Sequence, residues 1–527
     1  MEITSLVFLA FVCVTFIVYY LIPKKYQWVV LLSASLLFFV TSSALLTLYM
    51  LFTTAVIFFG AKGIQKYKDE FAKKKKELPK SERKVLKEQL KKKQKKILIL
   101  CVVVVIAVLV LTKYCNFLGG IVNGIASIFT LKDLLPEFNI LLPLGISYYT
   151  LMSVSYITDV YRGTIKAEVN PLRVLLFVCY FPHIVEGPFD RYGDLDKQFR
   201  TPHKFDYDQI RHGVILVMYG FFKKLVIADR IGLVVPNIFD NVDSYSGTAV
   251  VLGMFLYTFQ LYADFSGCID IISGVSEMFG IKVAENFKQP FFSKSIDEFW
   301  RRWHISLGAW LKEYVFYPVS LSGHFKKVNT FTKKHIKSQH IVGFITIAYT
   351  LFFVWFCNGL WHGASWLYIV YGLYYYVLMM LGKFTEPYTD KLANKLHINK
   401  ESKGYSVFQV ARTVVIVNVG MLLFRSSTLV EFGSLIVKIF SSINLGEVMS
   451  IWTTRSNLMM VALGFIIVLL VGIIKEKGID IRMWLVNHFF LFRWVVYLFL
   501  IVVTVVTGIY GAVSYTHLRA HETRRHL

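Results

Sequence analysis

A chain of 527 residues that is 55% hydrophobic, 16% aromatic and only 17% charged lacks the polar surface that a water-soluble protein of this size needs. Its net charge of +24 would suit a nucleic-acid binder. That reading is excluded because the charge is segregated between apolar blocks, and the densest lysine run, Lys73 to Lys96, carries no aromatic side chain. The lipid bilayer is the solvent that remains.

Crossing a bilayer core takes roughly 20 apolar residues as a helix, and several blocks reach or approach that length. Leu6–Leu21 has no cleavage-site pattern and is expected to be a retained first span. Spans near 5–21, 27–41 and 44–60 come first, with a short outer turn at Thr41 to Ser43. Cytoplasmic loops accumulate Lys and Arg. Lys24 and Lys25 therefore place the first loop inside and the N-terminus outside. Segment 61–96 holds 16 Lys or Arg against 5 Asp or Glu and is expected to lie on the cytoplasmic side as a solvated amphipathic helix on anionic lipid. Uncharged Ile97 to Leu111 opens a span near 97–112, and another near 139–158 returns to Arg162, Lys166 and Arg173 inside.

Segment 171–325 resists this treatment. Its apolar stretches are broken by Pro182, Glu186, Asp190, Lys223, Lys224, Asp229, Asp264 and Asp270. Backbone at membrane depth that is not a simple span must be buried in protein or line a watery cavity, so re-entrant helices are expected here, notably over 280–325. Beyond it, Lys326, Lys327, Lys333, Lys334 and Lys337 mark a cytoplasmic loop. A hairpin of 341–358 and 364–382 then precedes spans near 406–424, 457–474 and 490–511. The polar, His- and Arg-rich segment 514–527 changes character abruptly and is expected to be a non-native tail on a domain covering 1–513. The six cysteines are scattered without metal-type spacing and read as inert thiols.

Two local patterns carry candidate chemistry. One is Phe299-Trp300-Arg301-Arg302-Trp303-His304-Ile305-Ser306-Leu307; the other is Asn358-Gly359-Leu360-Trp361-His362-Gly363. An ionisable group at membrane depth is costly and marks function by default. Imidazole is the side chain whose ordinary pKa suits proton transfer near neutrality. Structural alternatives stand beside this: His362 next to Trp361 fits an interfacial aromatic belt, and His304 after Arg301 and Arg302 fits a headgroup-level helix anchor. Gly359 and Gly363 permit close backbone approach. Asn358 and His362, four apart, share one helix face. Asp264 and Trp361 are candidates to line a substrate path, with helix packing as the competing explanation.

Further stretches complete a pattern spread over about 1–515. They are Leu142-Pro143-Leu144-Gly145-Ile146-Ser147-Tyr148-Tyr149-Thr150, Tyr161-Arg162-Gly163 and Glu186-Gly187-Pro188-Phe189-Asp190-Arg191. Tyr262-Ala263-Asp264-Phe265-Ser266-Gly267, Glu285-Asn286-Phe287 and Gln289-Pro290-Phe291 follow. Together with the two His motifs they resemble the membrane-bound O-acyltransferase family. The likeness is to its bacterial branch of alginate O-acetyltransferases and D-alanyl transfer proteins of lipoteichoic acid. His183 departs from the residue usual before the Gly-Pro motif and is assigned no role.

The resemblance implies an all-α polytopic membrane protein of about 11–13 transmembrane and re-entrant helices, arranged as a ring around a thin centre with a funnel. It implies that His362 is catalytic and His304 a supporting second histidine, with Asn358, Trp361 and Asp264 at the substrate. It implies acyl transfer, most simply of acetyl, from a cytoplasmic thioester donor (acetyl-CoA or an acyl carrier protein) to hydroxyls of an exported cell-surface polysaccharide. No tightly bound cofactor or metal is expected. An extracytoplasmic acyltransferase- or esterase-like partner and residence in the bacterial cytoplasmic membrane are. D-alanyl transfer to teichoic acid is the alternative; spans beyond residue 400 favour the acetyl reading. A transporter built on inverted repeats is a third reading, disfavoured because the halves show no internal repeat.

Overall fold

Residues 2–129, 133–184 and 186–510 are described by the computed structural model; the expected tail, 514–527, lies outside the described residues. Two compact units emerge, Met1–Val214 with Ile272–Ala284, and Ile215–Ile271 with Glu285–Leu527. Both are helical. Among the described residues the one strand-like feature is an isolated antiparallel bridge between Phe287 and Trp303. Nine helices among the described residues are long and apolar enough to cross a bilayer, so the chain is an all-α, multi-pass membrane protein.

The first unit contains α1 (Leu6–Leu21), α2 (Gln27–Ser43), α3 (Thr47–Lys74) and α4 (Lys80–Leu109), which runs on through a wide turn into α5 (Cys115–Ile128). Its most buried helix is α6 (Ile146–Arg162), which starts only at Ile146, after Gly145 takes φ 66°. The span expected from residue 139 is therefore shorter than its apolar run. Helices α3, α4 and α6 pack together. A Cβ added at Gly60 would sit 2.4 Å from Cys101 Sγ and 2.9 Å from Ile157 Cδ1, so hydrogen alone allows this three-way approach.

The lysine-rich segment is helical over most of its length. Helix α3 continues to Lys74 and α4 begins at Lys80, leaving a turn of 75–79. Lys, Glu and Gln are good helix formers, and pairs such as Lys74 to Glu70, at 2.9 Å, support the extension.

In the second unit the largest departure is α7 (Gly247–Met278), a 32-residue helix where only broken, re-entrant pieces were expected; its last turns belong to the first unit. Its charges are neutralised internally. Lys224 Nζ lies 2.8 Å from Asp264 and 2.6 Å from Asp229, while Lys223 Nζ lies 2.7 Å from Asp270 and 2.9 Å from Ser266 Oγ. Both lysines sit on a π-helical stretch, 222–228. Segment 280–325 does break into short pieces, including α8 (Ile296–Arg302) and α9 (Ile305–Leu311). Helices α10 (Gln339–His362), α11 (Trp366–Lys395), α12 (Lys403–Arg425), α13 (Arg455–Glu476) and α14 (Phe490–Thr507) match the expected far-half spans. The starts of the first four are set by side-chain caps: Ser338, Ser365, Ser402 and Thr454 each accept a backbone N–H of the first turn.

Candidate active site

Helices α10 and α11 form a tight hairpin, and glycine makes it possible. A Cβ at Gly359 would fall 2.3 Å from Tyr368 O, and one at Gly372 would fall 2.3 Å from Trp355 O. A Cβ at Gly363 would meet the Tyr368 ring at 2.2 Å. The chain leaves α10 at His362, passes extended through Gly363, and re-enters a helix capped by Ser365. This closure carries Tyr371 to the His362 ring, edge-on at 5.6 Å between centroids. Phe424, from the end of α12, meets the same ring edge-on at 5.4 Å. His362 is 4% exposed and Asn358, one turn back, 5%. Asn358 Oδ1 has no hydrogen-bond partner among the described residues.

His304 is held differently. It stands between α8 and α9 with φ 49°, ψ 49°, a left-handed conformation that costs a non-glycine residue energy and persists only where the surroundings enforce it. The enforcement comes from Asn286. The backbone N–H of Lys288 donates to Arg302 O at 2.9 Å, and that of Ile305 to Asn286 O at 3.0 Å, zipping 286–288 against 302–305. Asn286 Oδ1 accepts the Ser306 N–H at 3.2 Å and the Ser306 hydroxyl at 2.8 Å, and lies 3.1 Å from His304 Nδ1.

A backbone N–H can only donate, so this amide atom is the oxygen and His304 Nδ1 must carry the proton that points at it. In the neutral ring the lone pair therefore sits on Nε2. Phe265 closes edge-on over the same imidazole at 4.8 Å.

Trp361 joins the two motifs. Its ring centroid lies 5.5 Å from that of His304 and 4.9 Å from that of His362, tilted to each by 61° and 73°. The structure thus brings His362, His304, Asn358 and Trp361 together within the second unit. The Asp264 carboxylate is engaged by Lys224. Sequence reasoning gave no role to Asn286, Tyr371 or Phe424. Asn286 stood inside a recognised stretch, but its partner is 18 positions away, beyond any local periodicity. Among the described residues no group of three or more His, Cys, Asp or Glu is placed to hold a metal ion.

His183, left without a role, sits buried in the first unit with Nε2 3.1 Å from Asp190 Oδ2. Asp190 Oδ1 accepts the Ala284 N–H at 3.0 Å, so this pair ties the loop that follows α7 into that unit.

Comparison with known proteins places the chain. Residues 37–333 match the model of the MBOAT, membrane-bound O-acyltransferase, family; the match includes His304 and ends before His362. A probable alginate O-acetylase AlgI of Pseudomonas syringae pv. tomato is 36% identical over 335 residues, which is 63% of this chain and 58% of that protein. The teichoic acid D-alanyltransferase of Bacillus subtilis is 36% identical over 259 residues, 49% of this chain and 62% of that one. The peptidoglycan O-acetyltransferase of Helicobacter pylori is 31% identical over 268 residues, 46% of this chain and 47% of its own length. The match thus spans about half to three-fifths of each relative's own length. With more than half of its residues inside the family's model, the chain belongs to the membrane-bound O-acyltransferase family.

Proposed function

We propose that the protein is an integral O-acyltransferase of the bacterial cytoplasmic membrane that moves an acetyl group from a cytoplasmic thioester, acetyl-CoA or an acyl carrier protein, to a hydroxyl of an exported polysaccharide. The observation that carries this reading is the buried set of His362 and His304 flanking Trp361, with Asn358 one turn from His362.

In the reaction His362 takes the proton of the acceptor hydroxyl as its oxygen bonds to the thioester carbonyl carbon. The tetrahedral intermediate then collapses, the carbon–sulfur bond breaks, and the thiolate leaves with the proton returned by the imidazolium. General base catalysis of this kind contributes about 10²–10⁴-fold. The Asn358 amide, on the same helix face, orients the imidazole or donates to the developing oxyanion, often the larger contribution. His304, its tautomer fixed by Asn286, supports the site from the far side of Trp361. In this reading the donor reaches His362 from the cytoplasm and the acceptor from outside. An extracytoplasmic esterase-like protein is the natural partner for passing the acyl group on.

D-alanyl transfer to a teichoic acid is the second reading, favoured by the 36% identity to the Bacillus subtilis D-alanyltransferase. Both readings need His362. Expression of the His362→Ala variant in cells lacking the gene, with ester analysis of surface polymers, tests them. Loss of O-acetyl or D-alanyl ester with the protein still folded in the membrane is expected. Full esterification by the variant would end the catalytic assignment, and the identity of the lost ester decides between the readings.

A further inference from the structure

The second unit contains a cavity of about 670 Å³ formed by α7, the 290–292 turn, α12 and α13. It falls in the size range of small-molecule sites. Its walls are apolar, with Tyr262 and Phe291 on one side and Val461 and Gly472 on the other, and none of its lining residues is charged or belongs to the candidate active site. At its rim α13 exposes Phe465, Ile466 and Leu469, so the opening faces the lipid-contacting surface of a spanning helix.

Five polar side chains interrupt this apolar lining, Thr258, Tyr262, Gln289, Asn418 and Trp452, and the last two bury an atom with no partner among the described residues. Asn418 is 1% exposed; its Nδ2 donates to Val414 O at 2.7 Å, and its Oδ1 has no hydrogen-bond partner among the described residues. Trp452 is 9% exposed, and its indole N–H likewise has none. Thr258, another lining group, already bonds within its own helix to Met254 O at 3.0 Å. Buried polar atoms are ordinarily satisfied, so an orphaned acceptor and an orphaned donor in one apolar cavity need a partner that both donates and accepts.

We propose that this cavity is a binding site for a neutral amphiphile, a single alkyl chain ending in a hydroxyl-bearing head such as that of a monoacylglycerol. The chain lies along Phe291 and Val461, and the head offers O–H to Asn418 Oδ1 and an oxygen to the Trp452 N–H. An anionic head is disfavoured, because a charge taken out of water without a counter-ion is costly and the lining supplies none.

The test uses the full-length protein in detergent and a photoactivatable monoacylglycerol with a diazirine in its chain. Labelling of the α7 and α13 peptides is expected, competed by monooleoylglycerol and not by oleate at a pH where oleate is ionised. Val461→Trp, which fills the cavity, should abolish competable labelling. Asn418→Leu should weaken competition by roughly fivefold to tenfold, the worth of one hydrogen bond. If Val461→Trp fails to fold, Asn418→Leu still reads the site. Labelling that monooleoylglycerol does not compete, equal competition by oleate, or unaltered competition in Asn418→Leu would each overturn the proposal.

Discussion

His304 Nδ1 lies 3.1 Å from Asn286 Oδ1, the same oxygen that accepts two bonds from Ser306. One amide therefore sets the tautomer of an imidazole, holds a strained backbone and starts helix α9. Replacing Asn286 with Ala removes the acceptor and leaves the buried Ser306 N–H without it. A loss of about 1–3 kcal/mol in unfolding free energy is expected, together with lower acyl transfer. Asn286→Asp retains the acceptor and should recover most of the stability. Thermal unfolding in detergent, run beside a transfer assay, checks both, and equal stability of the Ala variant would refute the clamp.

The α10–α11 hairpin makes a second forecast. Gly359→Val and Gly372→Val each drive a side chain into a backbone carbonyl that has no room to yield. Overpacking of this kind costs about 1–3 kcal/mol and should also displace Tyr371 from His362. Gly343 lies in the same helix with nothing within 4 Å of its added Cβ. Gly343→Val is the control, expected to keep the wild-type melting temperature.

Lys224 serves two carboxylates at once. Removing it as Lys224→Met strands Asp229 and Asp264 in the interior, at a cost of about 3–5 kcal/mol. The triple variant Lys224→Met, Asp229→Asn, Asp264→Asn removes the charges together and should be markedly more stable than the single one. A triple variant no better than Lys224→Met in thermal melts would show that the ions act separately.

Glu168, outside the spanning helices, offers a pH test. Burial pushes its carboxyl up, but this is outweighed by the Asn170 N–H, the Tyr192 hydroxyl, the Arg200 guanidinium and the Val169 N–H, which together hold it below the usual carboxylate range. A depressed folded-state pKa means that stability is present above the unfolded value, near 4.3, and is lost as pH falls through the folded one. Glu168→Gln should therefore lower the melting temperature at pH 7 and flatten its decline under acid. An unchanged acid slope would count against the linkage.

Much of this architecture is legible in the sequence, and the failures have causes. The far-half spans read correctly because Lys326 to Lys337 and Lys475 to Lys477 separate long uncharged windows. Helix α7 was hidden because hydropathy counts Asp264 and Asp270 as exposed costs, whereas Lys224 and Lys223 cancel them in space. The continuity of the lysine hairpin with α3 and α4 was not legible, because charge reports which side of a membrane a segment occupies and says little about where its helices begin and end. Gly359 announced close approach in the sequence, but the contact with Tyr368 needed the fold. The left-handed backbone at His304 had no local sign at all.

Trp361 stands edge-on between two imidazoles, so neither ring owns its wall. Damage at either histidine is transmitted through a shared indole, and the losses caused by changing one, the other or both should fail to multiply. The pair is best treated as one indivisible unit whose failure is collective.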